Sequence, residues 1–239
     1  MILLENVFHG RFIERQNRFL VTVDLEGVGR IEAFLPDPGR LEELLVDDAH
    51  VLLGAIDPSN MGSRKTAHDL VAVYSGNILV SVDTRVPNRY VGQLLASGFL
   101  LEMEIDEIKP EFKYGKSRLD FKITSGNQSH LMEVKSVTLV EQGVAKFPDA
   151  PTTRGTRHVR ELIEAMKDGF ESWIIFAAQR DDFDTFEPHV YRDPDFSSAL
   201  HEARDVGVNI IVFSSNVFMD GENRLCIEPT RKNIPIRFP

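Results

Sequence analysis

One cysteine, Cys226, is all that the 239-residue sequence carries, so no disulfide forms within the chain. That scarcity suits a reducing compartment, and in the run Leu225-Cys226-Ile227 the thiol reads as a small core residue. No stretch approaches the ~20 apolar residues of a membrane-spanning helix, so no membrane partner is expected. The start, MILLENVFHGRF, has neither a basic beginning nor a long apolar run, the marks of a secretion signal. A cytoplasmic location is the expectation. Positive charge is scarce too. The net charge of −10 argues against broad electrostatic binding of nucleic acid, because phosphate contacts need Lys and Arg. Residues 1–84 hold 7 Lys/Arg against 13 Asp/Glu, and residues 85–239 hold 20 against 24, so neither part is basic. Internal repeats and low-complexity tracts are absent as well.

What is present is the composition of an ordinary soluble globular protein, 42% hydrophobic and 27% charged, long enough for one large domain or two small ones. Residues 1–84 read as all-β. Short apolar or alternating runs recur at 18–23, 29–35, 50–56, 69–75 and 78–82, separated by turns such as Asp37-Pro38-Gly39 and Ser75-Gly76-Asn77. A short helix is expected over 40–46. Five strands and one helix in under ninety residues suggest a small closed barrel of the OB type. Such barrels bind single strands with basic and aromatic side chains on one face. Arg11, Phe12, Arg15, Arg18 and Phe19 are candidates for that face; the alternative is that the two rings are core and the arginines solvated. The turn Pro36-Asp37-Pro38-Gly39-Arg40 offers backbone amides and Arg40 to an anion, or is a plain turn into a helix.

The chemistry points to residues 117–140, SRLDFKITSGNQSHLMEVKSVTLV. Two alternating runs flank the turn-rich segment 124–130, which is a hairpin signal. Leu119, Phe121 and Ile123 share one face with period two; Asp120 and Lys122 take the other. In the second run Met132 and Val134 oppose Glu133 and Lys135. If the apolar faces pack together, Asp120, Glu133 and Lys135 emerge on one side, with Asp120 across from Glu133 at a Cβ separation of ~5 Å. Two carboxylates that close repel unless a cation lies between them, and oxygen ligands of this kind suit Mg²⁺ or Mn²⁺. A lysine two residues on can hold a water or neutralise developing negative charge. The pattern therefore suggests metal-dependent phosphodiester hydrolysis, with an ordinary hairpin and a cross-strand ion pair as the plain alternative. Nearby, residues 109–122 hold Lys109, Lys113, Lys116, Arg118 and Lys122 against Glu111 and Asp120, a basic strip suited to a nucleic-acid strand.

Around the hairpin, a boundary is expected near 85–90, then a helix over 88–97 closed by Gly98 and a strand over 108–114. The segment 141–155 is too polar and broken for a helix and reads as a loop beside the site strand. A helix over 156–169 follows, with Leu162, Ile163 and Met166 as its buried stripe. Arg154 and His158 lie at its N-terminal end, where a phosphate is favoured. Residues 173–178 (WIIFAA) and 209–213 (NIIVF) read as strands buried on both faces, with a helix over 196–206 between them. This alternation implies a mixed α/β sheet covered by helices. The tail 222–239 supplies one edge strand ended by Pro229 and Pro235.

Taken together, Lys113-Tyr114-Gly115, Ser117-Arg118-Leu119-Asp120-Phe121, Glu133-Val134-Lys135-Ser136-Val137-Thr138-Leu139 and Phe147-Pro148-Asp149-Ala150-Pro151-Thr152, with Arg154-Gly155 and His158, resemble the sugar fermentation stimulation protein A family. Pro36-Asp37-Pro38-Gly39-Arg40 and Pro87-Asn88 extend the resemblance over nearly the full chain. It implies an α/β (α+β) architecture: an N-terminal OB-like β-barrel over 1–84, then a mixed-sheet α/β domain over 85–239 similar to the PD-(D/E)xK nucleases. It also implies DNA binding without strong sequence preference and a part in regulating sugar (maltose) metabolism genes. Carried over by position, Asp120 and Glu133 are the metal ligands and Lys135 the catalytic lysine, with Arg118, Arg154 and His158 around them. The chain departs from the family in two places. Many relatives have a glutamate in the helix after Pro-Asn, where this chain has Gly92 and Gln93, and the Pro-Asp-Pro-Gly turn carries an added negative charge. The rival expectations are a DNA-binding regulator that does not cut, and a sugar-binding barrel.

Overall fold

The structure, a computed structural model, describes residues 1–239 apart from the side chain of Asn60. The chain forms two compact units. The first takes Met1–Val86, Gln179–Asp182 and Ser215–Thr230; the second takes Pro87–Ala178, Phe183–Ser214 and Arg231–Pro239. The first break lies two residues past the expected 84/85 boundary. Two later segments, expected in the second domain, return to the first unit. Strand pairing brings Ser215–Thr230 back, as described below, and the Ser215 N–H donates to the Arg180 carbonyl at 3.3 Å.

The first unit begins with β1 (Ile2–Leu4), β2 (Val7–Asn17), β3 (Leu20–Leu25), β4 (Gly29–Phe34), β5 (His50–Ala55), β6 (His68–Ser75) and β7 (Ile78–Ser81). The order β4-β3-β2-β5-β6 closes into a five-stranded barrel because β4 also pairs with β6 at Phe34↔Asp69. That is the OB-type barrel expected from the turn spacing. Its interior holds Phe12, Val21, Val23, Ala33, Val51, Leu53, Leu70 and Val73. β2 has no counterpart in the sequence reading, because polar residues crowd its outward positions. Its inward positions include Gly10, where a Cβ would lie 2.7 Å from Val23 Cγ1 and 2.9 Å from the Asp24 carbonyl oxygen. The helix expected over 40–46 does not form. Leu41 sits at φ 53°, outside the helical region, and only a single turn follows, with Leu45 N–H bonded to the Leu41 carbonyl at 2.8 Å. Burial of the Leu41 and Leu44 side chains in the barrel core favours that turn.

The second unit contains most of α1 (Val86–Ala96), then β8 (Glu107–Tyr114), β9 (Ser117–Ser125), β10 (Gln128–Val137), β11 (Val140–Glu141), β12 (Val144–Phe147), α2 (Thr153–Lys167), β13 (Glu171–Ala178), β14 (Thr185–Pro188) and α3 (Pro194–Asp205). Then β15 (Asn209–Met219) and β16 (Leu225–Lys232) complete the chain. The sheet order is β15-β13-β10-β9-β8, with β13 parallel to both neighbours and β8–β10 antiparallel. This is the mixed sheet expected, with α2 and α3 packed through Val159, Leu162, Phe196 and Leu200 onto Leu131, Ile174 and Phe176. The segment 141–155 is not a plain loop. It carries β11 and β12, which join β14 in a small separate sheet, and α2 starts at Thr153, earlier than expected. Within the first unit, β15 pairs with β7 at Val217↔Leu79, and β16 pairs with β1 at Ile2↔Cys226. β16 thus runs through Pro229 to Lys232 rather than ending at the proline.

Candidate active site

The β9–β10 register runs from Gln128↔Ser125 to Met132↔Phe121. One further step would set Glu133 opposite Asp120, and there the ladder stops. The Val134 N–H donates instead to Asp120 Oδ2 at 2.7 Å. From α1, Asn88 Nδ2 donates to Asp120 Oδ1 at 2.6 Å. Each oxygen of Asp120 therefore accepts one N–H, and the carboxylate is fixed where the strands separate.

Glu133 is held from the other helix. It lies in the buried stretch of β10 and is 3% exposed. Its Oε1 accepts from Lys135 Nζ at 2.5 Å and pairs with His158 Nδ1 at 2.5 Å. Arg154 Nε donates to His158 Nε2 at 3.4 Å. An accepting Nε2 leaves the ring proton on Nδ1, aimed at Glu133. α2 can aim His158 this way because of its periodicity. Thr152 caps it, Oγ1 accepting from the Gly155 N–H at 3.0 Å. Gly155, His158, Val159 and Leu162 then fall at i, i+3, i+4 and i+7 on the buried face.

The two carboxylates are electrostatically unlike. Burial raises the Asp120 carboxyl first, the neighbouring Glu133 charge raises it further, and it is pushed up to about 6 despite its N–H partners and Lys135. Burial opposes ionisation of Glu133 as well. There Lys135 and the His158 hydrogen bond outweigh it, and Glu133 is held below the usual glutamate range. Glu133 Oε2 is buried and has no hydrogen-bond partner among the described residues. An orphaned buried carboxylate oxygen beside a second carboxylate fits a hard divalent cation, which takes one or two carboxylates and fills its other positions with water or phosphate. The fit goes no further than two side chains. Among the described residues, no three His, Cys, Asp or Glu are grouped to hold a metal ion.

The structure thus brings together Asp120, Glu133, Lys135, His158 and Arg154. Asn88, noted in the sequence only as part of a hinge, joins them. Lys113, Lys116 and Arg118 lie exposed on the β8–β9 hairpin; Arg118 faces Glu111 at 3.6 Å, and the Lys116 backbone N–H donates to Glu161 Oε1 at 3.0 Å. Arg157 Nε donates to Ser117 Oγ at 3.2 Å, tying α2 to β9.

In the first unit the candidates divide. Phe12 is barrel core, 6% exposed. Arg15 directs its five N–H groups to the carbonyls of Asn17, Arg18, Asp37, Gly39 and Arg40, at 2.7 to 3.3 Å. That guanidinium is committed to the fold and leaves no N–H for a phosphate. The Gly39 N–H donates to Asp37 Oδ1 at 2.7 Å, so the turn's own carboxylate takes the amide expected to face an anion. Arg40 is exposed, 3.6 Å from Glu42, and Arg11 donates to the Asp48 carbonyl at 3.2 Å. Arg18 and Phe19 remain exposed.

Residues 85–221 match the family profile described as the sugar fermentation stimulation protein RE domain, and residues 13–82 match the SfsA N-terminal OB domain. A sugar fermentation stimulation protein homolog of Methanothermobacter thermautotrophicus is 38% identical over 239 residues, covering 100% of this chain and 97% of its own. A homolog of Caldanaerobacter subterraneus subsp. tengcongensis is 38% identical over 224 residues, covering 93% of this chain and 95% of its own. Among solved structures, Pyrococcus furiosus SfsA in complex with Ca²⁺ matches with a TM-score of 0.85 and 27% identity over 99% of each chain.

Proposed function

The chain belongs to the sugar fermentation stimulation protein family, and from that membership and the site's chemistry we propose a DNA-binding protein with a phosphodiester-hydrolysing site of the PD-(D/E)xK type. The observation that carries this reading is Glu133, a buried carboxylate with one oxygen tied to two donors and the other without a partner. Asp120 and Glu133 are the residues that would hold Mg²⁺ or Mn²⁺. When bound, such an ion supplies Lewis-acid stabilisation of charge on the phosphate.

The chain's own residues do the rest. Asn88 and the Val134 N–H fix Asp120 in place. His158 holds the Glu133 carboxylate, and Arg154 holds the tautomer that lets it. Lys135 gives one N–H to Glu133, leaving two to orient an attacking water and to meet charge on a phosphate oxygen. Lys113, Lys116 and Arg118 offer exposed cations for the strand backbone. The Ca²⁺ of the Pyrococcus furiosus structure supports a divalent ion as the partner of this fold. We place the protein in the cytoplasm, which its single cysteine suits; no described helix is long and apolar enough to cross a membrane.

The test is incubation with labelled single- and double-stranded DNA in Mg²⁺, Mn²⁺ or EDTA, with Glu133→Gln alongside. Metal-dependent cutting that disappears in the variant is expected. A second reading, a DNA-binding regulator of sugar (maltose) metabolism genes that does not cut, is favoured by the ligand set of two carboxylates with no third His, Cys, Asp or Glu grouped with them among the described residues. Binding without cutting in every metal would select it, and Lys135→Ala would then weaken affinity.

A further inference from the structure

The first unit carries an aromatic pair that the phosphodiester site does not use. Phe19 precedes β3 and Phe34 ends β4, and their rings lie stacked at 6.0 Å and 20°. Phe19 is 43% exposed. A guanidinium stands over each ring: Arg18 at 6.0 Å from the Phe19 centroid and Arg64 at 5.1 Å from that of Phe34. Arg64 is anchored by Asp69, whose other oxygen accepts from Arg85 at 2.8 Å. Arg18 gives its Nε to the Pro38 carbonyl at 3.2 Å, and among the described residues its outer N–H groups have no hydrogen-bond partner.

A ring so open contributes little to the core, yet the turn beneath it is rigidly built. The five carbonyls gathered by Arg15 include those of Asn17 and Arg18, the two residues that lead into Phe19. The Phe19 N–H donates to Asn17 Oδ1 at 3.0 Å, and the Phe19 carbonyl accepts from the Leu35 N–H at 3.0 Å. An exposed aromatic held in one place presents a preorganised face to a planar partner, which lowers the entropy lost on binding.

We propose that Phe19 and Phe34 form a base-stacking platform for single-stranded nucleic acid, with Arg18 taking a backbone phosphate. This rests on the reading of the chain as acting on nucleic acid. Unpaired bases offer their π faces, whereas those of a duplex are covered by their neighbours. The acidic balance of residues 1–84 leaves little for phosphate-driven affinity, so stacking is the contribution this unit can supply. DNA and RNA strands present the same stacking chemistry.

The experiment is a fluorescence-anisotropy titration of full-length protein in EDTA against labelled oligo-dT, oligo-U and a duplex of equal length. Wild type is expected to prefer the single strands. Phe19→Leu keeps an apolar side chain and the fold, and is expected to weaken single-strand binding by on the order of ten-fold with little effect on the duplex. Phe19→Trp is expected to restore affinity and to show quenching of the added indole by unlabelled oligo-dT. Tighter binding of oligo-dT or of oligo-U assigns the natural strand. Equal binding by Phe19→Leu and wild type, no quenching in Phe19→Trp, or no single-strand binding at all overturns the platform. Because the titration runs in EDTA, a failure of the metal-dependent cutting assay is read separately from a failure here.

Discussion

At Asp120 the requirement of the site and the stability of the fold are opposed. Its carboxyl is pushed up from 3.8 to about 6 by burial and by Glu133. An acid raised in the folded state stabilises the fold only when protonated. That contribution is full below pH ~4 and is lost as pH rises through about 6. A gap of about two pH units corresponds to about 3 kcal/mol. Asp120→Asn, with Asn88 free to turn its amide, is therefore expected to be about 1–3 kcal/mol more stable than wild type at pH 7 in EDTA, and about equal at pH 4. Urea unfolding at the two pH values checks this, and an equal difference at both would reject it. Glu133 has the opposite sign: its pairing with Lys135 and His158 stabilises the fold above the usual carboxylate range and is lost as pH falls through its depressed value. His158→Asn keeps a donor where Nδ1 stands and is expected to retain most stability. His158→Ala leaves a buried carboxylate short of a donor and is expected to cost about 1–3 kcal/mol in the same assay. Asp120, Glu133 and Lys135 were legible in the sequence because alternation on a hairpin is a local rule. Asn88 was not, since its bond to Asp120 joins residues 32 apart.

Helix α1 shows how one element positions Asp120. Asn88, which reaches Asp120, lies one turn before Gly92, so position 92 shares that face. A Cβ at Gly92 would meet only the Phe121 ring, at 3.5 Å, an ordinary contact. Gly92→Glu would add a third carboxylate on the face that positions Asp120. It is expected to tighten Mg²⁺ binding about ten-fold in calorimetry and to lower stability in EDTA; unchanged Mg²⁺ affinity would count against a cation at Asp120. The elements that could not be read from sequence were hidden for different reasons. β2 shows too few apolar positions because a glycine occupies one inward site. The turn at Leu41 forms where 40–46 looks helical because side-chain burial outweighs local helix preference. β11 and β12 exist only through pairing with each other and with β14, some forty residues on.

For the whole molecule, the net charge of −10 predicts shallow salt dependence of DNA binding. With a footprint limited to the exposed cations of the β8–β9 hairpin, Lys109, Lys113, Lys116 and Arg118, the slope of log affinity against log salt is expected to lie between about −1 and −4. Titration at several KCl concentrations measures it, and a slope near −8 would show a phosphate footprint much larger than the β8–β9 hairpin offers. The proposed metal site carries a second expectation for the entire chain. Mg²⁺ is expected to raise the thermal midpoint of wild type over that in EDTA, and to leave that of Glu133→Gln nearly unchanged.

The sequence by itself determined the barrel-then-mixed-sheet order, the hairpin, and the three side chains at its centre. Strand period and turn chemistry act over a few residues and need no knowledge of the rest. Only the tertiary structure decided which helix holds which carboxylate, that Arg15 serves backbone carbonyls while Phe19 stands open beside Phe34, and that Ser215–Thr230 returns to the first unit. Each of those depends on strand pairing or packing between distant residues, where local propensity carries no information.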